Sequence, residues 1–173
     1  MELNIMIDLR QQTCCFSGHR SIPQKDLPLI LNRTEQIVCQ LIHQGILFFG
    51  LGGAIGYDTE VTKLLFLLRA KEYPQIKIIL VYPFEGFSLG WNEKQQVEYS
   101  RLFSLYDKTV CVATHAFRGA YLARNRHLVD HSSHCICYCT RTTGGTAYTM
   151  RYAAMHGVIV KNVSPFPSGK MSP

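Results

Sequence analysis

Six short apolar runs alternate along this chain with stretches of helical periodicity. Thr13–Ser17, Ile46–Phe49, Ile76–Tyr82, Thr109–Val112, His134–Cys139 and Val158–Asn162 read as strands. They are continuously apolar, with no polar face. A strand of that kind must be covered on both sides, which a mostly parallel sheet between two helix layers provides. The intervening segments 24–44, 57–72, 91–105, 120–132 and 146–156 read as helices. In the first, Leu27, Leu31, Thr34, Val38, Leu41 and Ile42 recur near helical spacing. Gly45 and Pro74 supply stops for the first two. The expected fold is a three-layer α/β sandwich.

At 173 residues, with 47% apolar and 17% charged residues, the chain suits one ordinary globular core. The expected division is an irregular leader or edge strand over 1–12, a domain over 13–162 and a flexible tail over 163–173, which holds three prolines. No apolar run approaches the ~20 residues of a membrane helix. The first residues carry Glu2 and Asp8 and no signal-peptide pattern, so a cytoplasmic location is expected. Seven cysteines without a CxxC pair read as buried, reduced thiols. Charge is uneven: residues 1–98 hold nine Lys/Arg against ten Asp/Glu, and residues 99–173 hold nine against only Asp107 and Asp130. A basic second half suits an anionic ligand, from a nucleotide to a nucleic acid strand, and equally a solvated surface.

Three polar segments each follow a strand: Ser17-Gly18-His19-Arg20, Gly50-Leu51-Gly52-Gly53-Ala54-Ile55-Gly56 and Thr143-Gly144-Gly145-Thr146. In a parallel sheet these gather at the edge where such folds bind ligands. Glycine lets backbone N–H groups approach an anion, and a helix N-terminus adds its positive end. The second segment has neither the spacing of the dinucleotide fingerprint nor the Lys-Ser/Thr of a P-loop. Asp58, just beyond it, either caps the next helix or accepts a hydrogen bond from a ribose hydroxyl. His19 and Arg20 read as phosphate or base contacts, with His19 able to move a proton near neutral pH. Gly144, Gly145 and Thr146 read as a phosphate cradle.

In segment 120–132, Tyr121, Arg124, Asn125, Leu128 and Ser132 share one helix face, and its apolar members turn that face inward. Arg124 and Asn125 therefore point into the protein or its cleft, and Arg126 points away. An inward arginine must meet an acid, carbonyls or an anion. Acids are scarce in this half, which favours ligand contact. Metal binding is disfavoured. His127-Leu-Val-Asp130-His131 matches the inverted zinc motif with Asp for Glu. However, Cys135, Cys137 and Cys139 alternate as sheet packing does, not as a tetrahedral thiolate set. The chain has no G-x-S-x-G elbow of a serine hydrolase.

Cys14-Cys15-Phe16-Ser17-Gly18-His19-Arg20, then Gly52-Gly53-Ala54-Ile55-Gly56-Tyr57-Asp58, Arg124-Asn125-Arg126 and Gly144-Gly145-Thr146, taken in this order, resemble the SLOG superfamily, closest to its YpsA-like branch of bacterial proteins. The resemblance spans roughly residues 13–162. It implies a Rossmann-like fold with a pocket for nucleotides or nucleotide-derived molecules such as ADP-ribose derivatives. Two related groups point to other uses. DprA proteins have a similar glycine loop ending in Asp and a similar Arg-Asn-Arg, and bind single-stranded DNA with extra domains. Lonely-Guy phosphoribohydrolases carry Gly-Gly-x-Gly-Thr-x-x-Glu, where the glutamate helps cleave an N-glycosidic bond. Here Gly144-Gly145-Thr146-Ala147-Tyr148-Thr149 has no acid, and Glu98 is the last glutamate of the chain.

The expectation is therefore a single-domain Rossmann-like protein that binds a nucleotide-like ligand at the C-terminal edge of its sheet, as sensor or regulator. Gly18, His19, Arg20, Gly52, Gly53, Gly56, Asp58, Arg124, Asn125, Gly144, Gly145 and Thr146 are the candidate ligand residues. Gly52, Gly53 and Gly56 would allow close approach, Asp58 would take a ribose hydroxyl, and Arg124 with the Gly144–Thr146 turn would hold phosphate. Asn125 would orient the ligand or the adjacent loop. The alternatives are a nucleoside or ADP-ribosyl hydrolase using Asp58 or His19, and a single-stranded nucleic acid binder. No cofactor, metal or membrane is expected, and a homodimer is the self-association considered.

Overall fold

Each apolar run forms a strand and each periodic stretch a helix, with boundaries shifted by one to three residues. The computed structural model describes residues 8–165. In chain order these hold β1 (Thr13–Gly18), α1 (Leu27–His43), β2 (Phe48–Leu51), α2 (Tyr57–Lys71), β3 (Lys77–Phe84), α3 (Glu93–Phe103), β4 (Lys108–Ala113), α4 (Ala120–Asp130), β5 (His134–Tyr138), α5 (Gly145–Met155) and β6 (Ile159–Asn162). Leu9–Gln12 form a 3-10 turn, where the sequence allowed an edge strand. Its N-cap is Asp8, whose carboxylate accepts from the Arg10 N–H at 3.0 Å. Of the tail expected to be flexible over 163–173, residues 166–173 lie outside the described residues, as do 1–7, and Val163 is buried, its N–H donating to the Cys137 carbonyl at 2.8 Å.

The strands make one six-stranded sheet in the order β4-β3-β2-β1-β5-β6, parallel throughout. The result is a single α/β domain of Rossmann-like type. Parallel pairing requires long crossovers, and each helix supplies one. Cys14 and Phe16 face one layer with Ile30, Val38, Val61 and Leu65 of α1 and α2. Cys15, Cys135 and Cys137 face the other, with Leu128 and Val129 of α4 and Ala153 of α5. The inner strands β1, β2 and β5, covered on both faces in this way, are apolar along most of their length, whereas the edge strands β4 and β6 keep exposed positions such as Lys108 and Lys161.

The strand order decides where the site falls. From β1 the chain builds outward through β2 and β3 to β4, then returns to the other side of β1 for β5 and β6. The direction reverses between β1 and β5, which pair through Cys15↔Cys135 and Gly18↔Tyr138. The connections leaving these two strands diverge to opposite faces and leave a crevice beyond their C-terminal ends, where ligands of open α/β sheets bind.

Candidate functional site

A cavity of about 690 Å³ occupies that crevice. This is within the range of about 300–1,000 Å³ usual for small-molecule sites. β1 and its extension supply Ser17, Gly18, His19 and Arg20. The segment after β5 supplies Thr140 and Arg141. The first turn of α2 supplies Asp58, the inner face of α4 supplies Tyr121, Arg124 and Asn125, and the start of α5 supplies Gly145 and Thr146.

A continuous chain of hydrogen bonds ties these elements together. Asp58 Oδ2 accepts from the N–H groups of Gly52 at 3.1 Å and Ala54 at 3.4 Å. Arg124 Nη1 donates to the Gly52 carbonyl oxygen, and Arg124 Nε donates to Asn125 Oδ1 at 2.7 Å. Asn125 Nδ2 donates to Thr149 Oγ1 at 2.9 Å, and Thr149 Oγ1 donates to the Gly145 carbonyl at 2.8 Å. Gly52 thus bridges Asp58 and Arg124, and Asn125 couples α4 to the start of α5. Asp58 does not cap α2: the cap position is Gly56, with no side-chain capping bond.

Both charged groups are buried, each 5% exposed. Burial raises the Asp58 pKa from the usual carboxylate value, and the Arg124 charge is the largest opposing influence. Burial likewise lowers the Arg124 pKa, opposed chiefly by Asp58. The countercharge to Arg124 therefore comes from the acid-rich first half of the chain, although no ion pair within 4.0 Å joins the two among the described residues. The sequence argument from scarce acids in the second half missed this partner, and much of the Arg124 guanidinium is committed to protein groups. Every fully buried side-chain nitrogen and oxygen of the described residues has a hydrogen-bond partner. Asp58 Oδ1 makes no such bond, so it is open to the cavity.

On the opposite wall, His19 Nε2 accepts from the Thr140 N–H at 2.9 Å, and Thr140 Oγ1 lies 3.1 Å from the same nitrogen. An acceptor Nε2 places the ring proton of neutral His19 on Nδ1. The ring meets Tyr138 edge-on, with centroids 5.3 Å apart. Burial, then the nearby Arg141, lowers the His19 pKa from 6.5. The Arg20 guanidinium lies over the Tyr121 ring at 5.3 Å. Among the described residues, the side chains of Arg20 and Arg141 make no hydrogen bond or ion pair. They are the cavity's uncommitted cations.

Of the twelve candidates, Gly18, His19, Arg20, Asp58, Arg124, Asn125, Gly145 and Thr146 line this cavity. Gly52, Gly53, Gly56 and Gly144 do not. Gly52 needs its missing side chain because a Cβ there would overlap the Arg124 guanidinium. Gly56 has φ +84° and packs against the Arg20 backbone. A Cβ on Gly18 would strike Tyr57, which is fully buried. These glycines admit protein atoms, where the sequence reading expected Gly52, Gly53 and Gly56 to admit a ligand. Sequence reasoning overlooked Thr140 and Arg141. The signal was available, because Arg141 follows β5 much as Arg20 follows β1.

Arg126 is exposed, in keeping with the helical phase, and lies over Tyr148 at 5.4 Å and Tyr152 at 5.9 Å. Cys135 and Cys137 pack on one face of β5, 3.5 Å apart at sulfur. Among the described residues no group of three or more His, Cys, Asp or Glu is placed to hold a metal, and no helix is long and apolar enough to cross a membrane.

An open parallel sheet with a basic, polar cavity at its switch point places this chain among Rossmann-like α/β domains. Within that class, residues 18–158 match the YpsA family model, described as the YspA SLOG family, and the chain belongs to that family. It is 25% identical over 134 residues to a UPF0398 protein of Staphylococcus epidermidis, covering 72% of this chain and 71% of the relative. It is 24% identical over 152 residues to a UPF0398 protein of Enterococcus faecalis, covering 82% and 84%. Among solved structures, DprA of Streptococcus pneumoniae superposes with a TM-score of 0.62 at 15% identity, over 88% of this chain and 50% of DprA. Helicobacter pylori DprA, described for its single-stranded DNA binding mode, gives 0.57 at 19% identity over 88% of this chain. The chain spans 65% of that protein, and the likeness shows the shared fold.

Proposed function

We propose that this protein binds one nucleotide or nucleotide-derived small molecule, of the nucleoside phosphate or ADP-ribose type, and acts as its sensor or regulator. The observation that carries the reading is the opposition of two chemistries in one cavity. Asp58 offers a free carboxylate oxygen on one wall, and Arg20 and Arg141 offer uncommitted cations elsewhere on the lining. A carboxylate accepts hydrogen bonds from a sugar diol and repels phosphate. Arginine and the opening N–H groups of α5 attract phosphate. A ligand with hydroxyls at one end and phosphate at the other satisfies both, with Asn125 holding Arg124 and the α5 turn in place.

Calorimetric titration with AMP and ADP-ribose, beside mass spectrometry of co-purifying small molecules, tests this. Saturable binding of one ligand per chain is expected, and the absence of any nucleotide-like ligand in both experiments would sink it. Single-stranded nucleic acid is the second reading, supported by the DprA likeness and the basic lining. It requires several phosphates to be neutralised together, so log K would fall steeply with log salt. A single nucleotide on two or three arginines gives a shallow slope.

A further inference from the structure

A second carboxylate lines the cavity at the β1/β5 switch point, apart from Asp58. Asp26, the residue before α1, shares that lining with Tyr138, the last residue of β5. The Asp26 side chain is half-buried, does not cap α1, and makes no hydrogen bond or ion pair among the described residues. Tyr138 is 3% exposed, and its hydroxyl likewise makes no hydrogen bond among those residues. Every fully buried side-chain oxygen there has a partner, so the hydroxyl opens into the cavity. Burial raises the Tyr138 pKa and the Asp26 charge raises it further, which makes the hydroxyl and the carboxylate neighbours.

The groups between the two acids follow in a definite order. The Arg20 charge acts on Asp58, and His19 precedes Arg20 in the chain. The Arg141 charge acts on His19, and the His19 ring meets Tyr138 edge-on at 5.3 Å. Tyr138 in turn lies near Asp26. The charges that act most on Asp58 are Arg124 and Arg20, not Asp26. The lining therefore runs from one acid, past two uncommitted cations, to a second acid.

The chemistry of the second end selects its occupant. An ionised Asp26 only accepts hydrogen bonds, whereas the Tyr138 hydroxyl also donates. A sugar hydroxyl satisfies both, donating to Asp26 and accepting from Tyr138. A phosphate there would meet the Asp26 charge with its own. We infer that the cavity takes a molecule with a sugar at each end and a diphosphate between them. Asp58 holds one sugar, Arg20 and Arg141 the phosphates, and Asp26 with Tyr138 the other sugar. This inference rests on the proposed function and chooses within it, because a nucleoside monophosphate would leave Asp26 and Tyr138 unpaired.

ADP and ADP-ribose share an adenosine diphosphate and differ by the second ribose, so calorimetric titration of both, beside AMP, isolates the second end. ADP-ribose is expected to bind at least about tenfold more tightly than ADP, the scale of one hydrogen bond to a charged group. Asp26→Asn, which keeps the size and removes the charge, should reduce that preference several-fold and leave ADP unweakened. Tyr138→Phe, which keeps the ring, should do the same. Both variants should unfold at the wild-type midpoint without ligand, because neither group has a hydrogen-bond partner in the protein to lose. Asp58→Asn should weaken ADP and ADP-ribose alike. Equal affinities for ADP and ADP-ribose, or a preference that survives both Asp26→Asn and Tyr138→Phe, would overturn the second sugar site and leave the proposed function standing. No binding of AMP, ADP or ADP-ribose would defeat the proposed function and this inference together.

Discussion

Arg124 of α4 donates a hydrogen bond to the backbone carbonyl of Gly52, at the end of β2, and the guanidinium fills the space that any side chain at residue 52 would need. Because the same glycine donates its N–H to Asp58, one residue without a side chain holds a buried cation and a buried carboxylate on its two sides. Gly52→Ala is expected to cost about 1–3 kcal/mol, the usual range for overpacking a tight site. Arg124→Ala should cost about 1–3 kcal/mol, because it leaves the buried Gly52 carbonyl without its donor and Asn125 Oδ1 without Arg124 Nε. Chemical denaturation measures both. The double variant should be distinctly less destabilised than the sum, since the alanine at 52 no longer meets a guanidinium. Strict additivity would show that the two residues do not interact.

Stability should fall with acidification through His19. Its folded pKa lies below the unfolded value of 6.5, so the unfolded chain binds the proton more tightly. The His19 contribution is therefore complete above pH 6.5 and is lost as pH drops through the folded value. A proton on Nε2 would also face the Thr140 N–H, donor against donor. His127 and His134 are lowered as well and act in the same direction. Asp58 acts oppositely: its pKa is raised from 3.8, so its contribution is greatest below that value and declines as pH rises through the folded one. His19→Gln keeps an acceptor for Thr140 and does not titrate. The wild type should lose more stability between pH 7 and pH 5 than this variant, and parallel curves would exclude His19 as the cause.

Ligand affinity should depend on the uncommitted arginines without a penalty to the fold. Arg141→Ala and Arg20→Ala are each expected to weaken a phosphate-bearing nucleotide by about 1.5–3 kcal/mol, the scale of one charge-assisted hydrogen bond. Their midpoints of unfolding without ligand should stay close to the wild type. Arg124→Ala should lose both affinity and stability, and Arg126→Ala should leave affinity intact because its side chain lies on Tyr148 and Tyr152. Calorimetry on all four separates these outcomes. An Arg126→Ala loss as large as that of Arg141→Ala would mean the ligand lies elsewhere.

Nucleoside monophosphates should be bound and not cleaved. Base departure needs a proton donor and a carboxylate near the sugar, worth ~10²–10⁴-fold in general acid–base help. The first turns of α5 offer Tyr148, Thr149 and Met150, and no acid. Asp58 is the deepest carboxylate in the cavity, and one of its oxygens is occupied by two backbone N–H groups. Free base release from AMP should stay at background for the wild type and for Asp58→Asn alike. Turnover in the wild type that disappears in Asp58→Asn would make Asp58 a catalytic acid and the protein a hydrolase.

The sequence alone determined the layers and the phase of α4. Six apolar runs with no polar face can be buried only between two helix layers, and helical geometry turns Arg124 inward and Arg126 outward whatever the rest of the chain does. Local spacing also put His19 and Arg20 just past a strand and Gly145 and Thr146 at the opening of a helix. The tertiary structure decided which of these meet. The reversal of strand order between β1 and β5 brought Arg141 beside His19, and set Gly52, the residue after β2, under Arg124 of α4. It also found the countercharge of Arg124 in Asp58, from the other half of the chain, and gave the glycines of the second loop protein neighbours to accommodate. Periodicity carries information over one or two turns of chain, whereas these contacts depend on which strands pair, and that is fixed only when the whole core is packed.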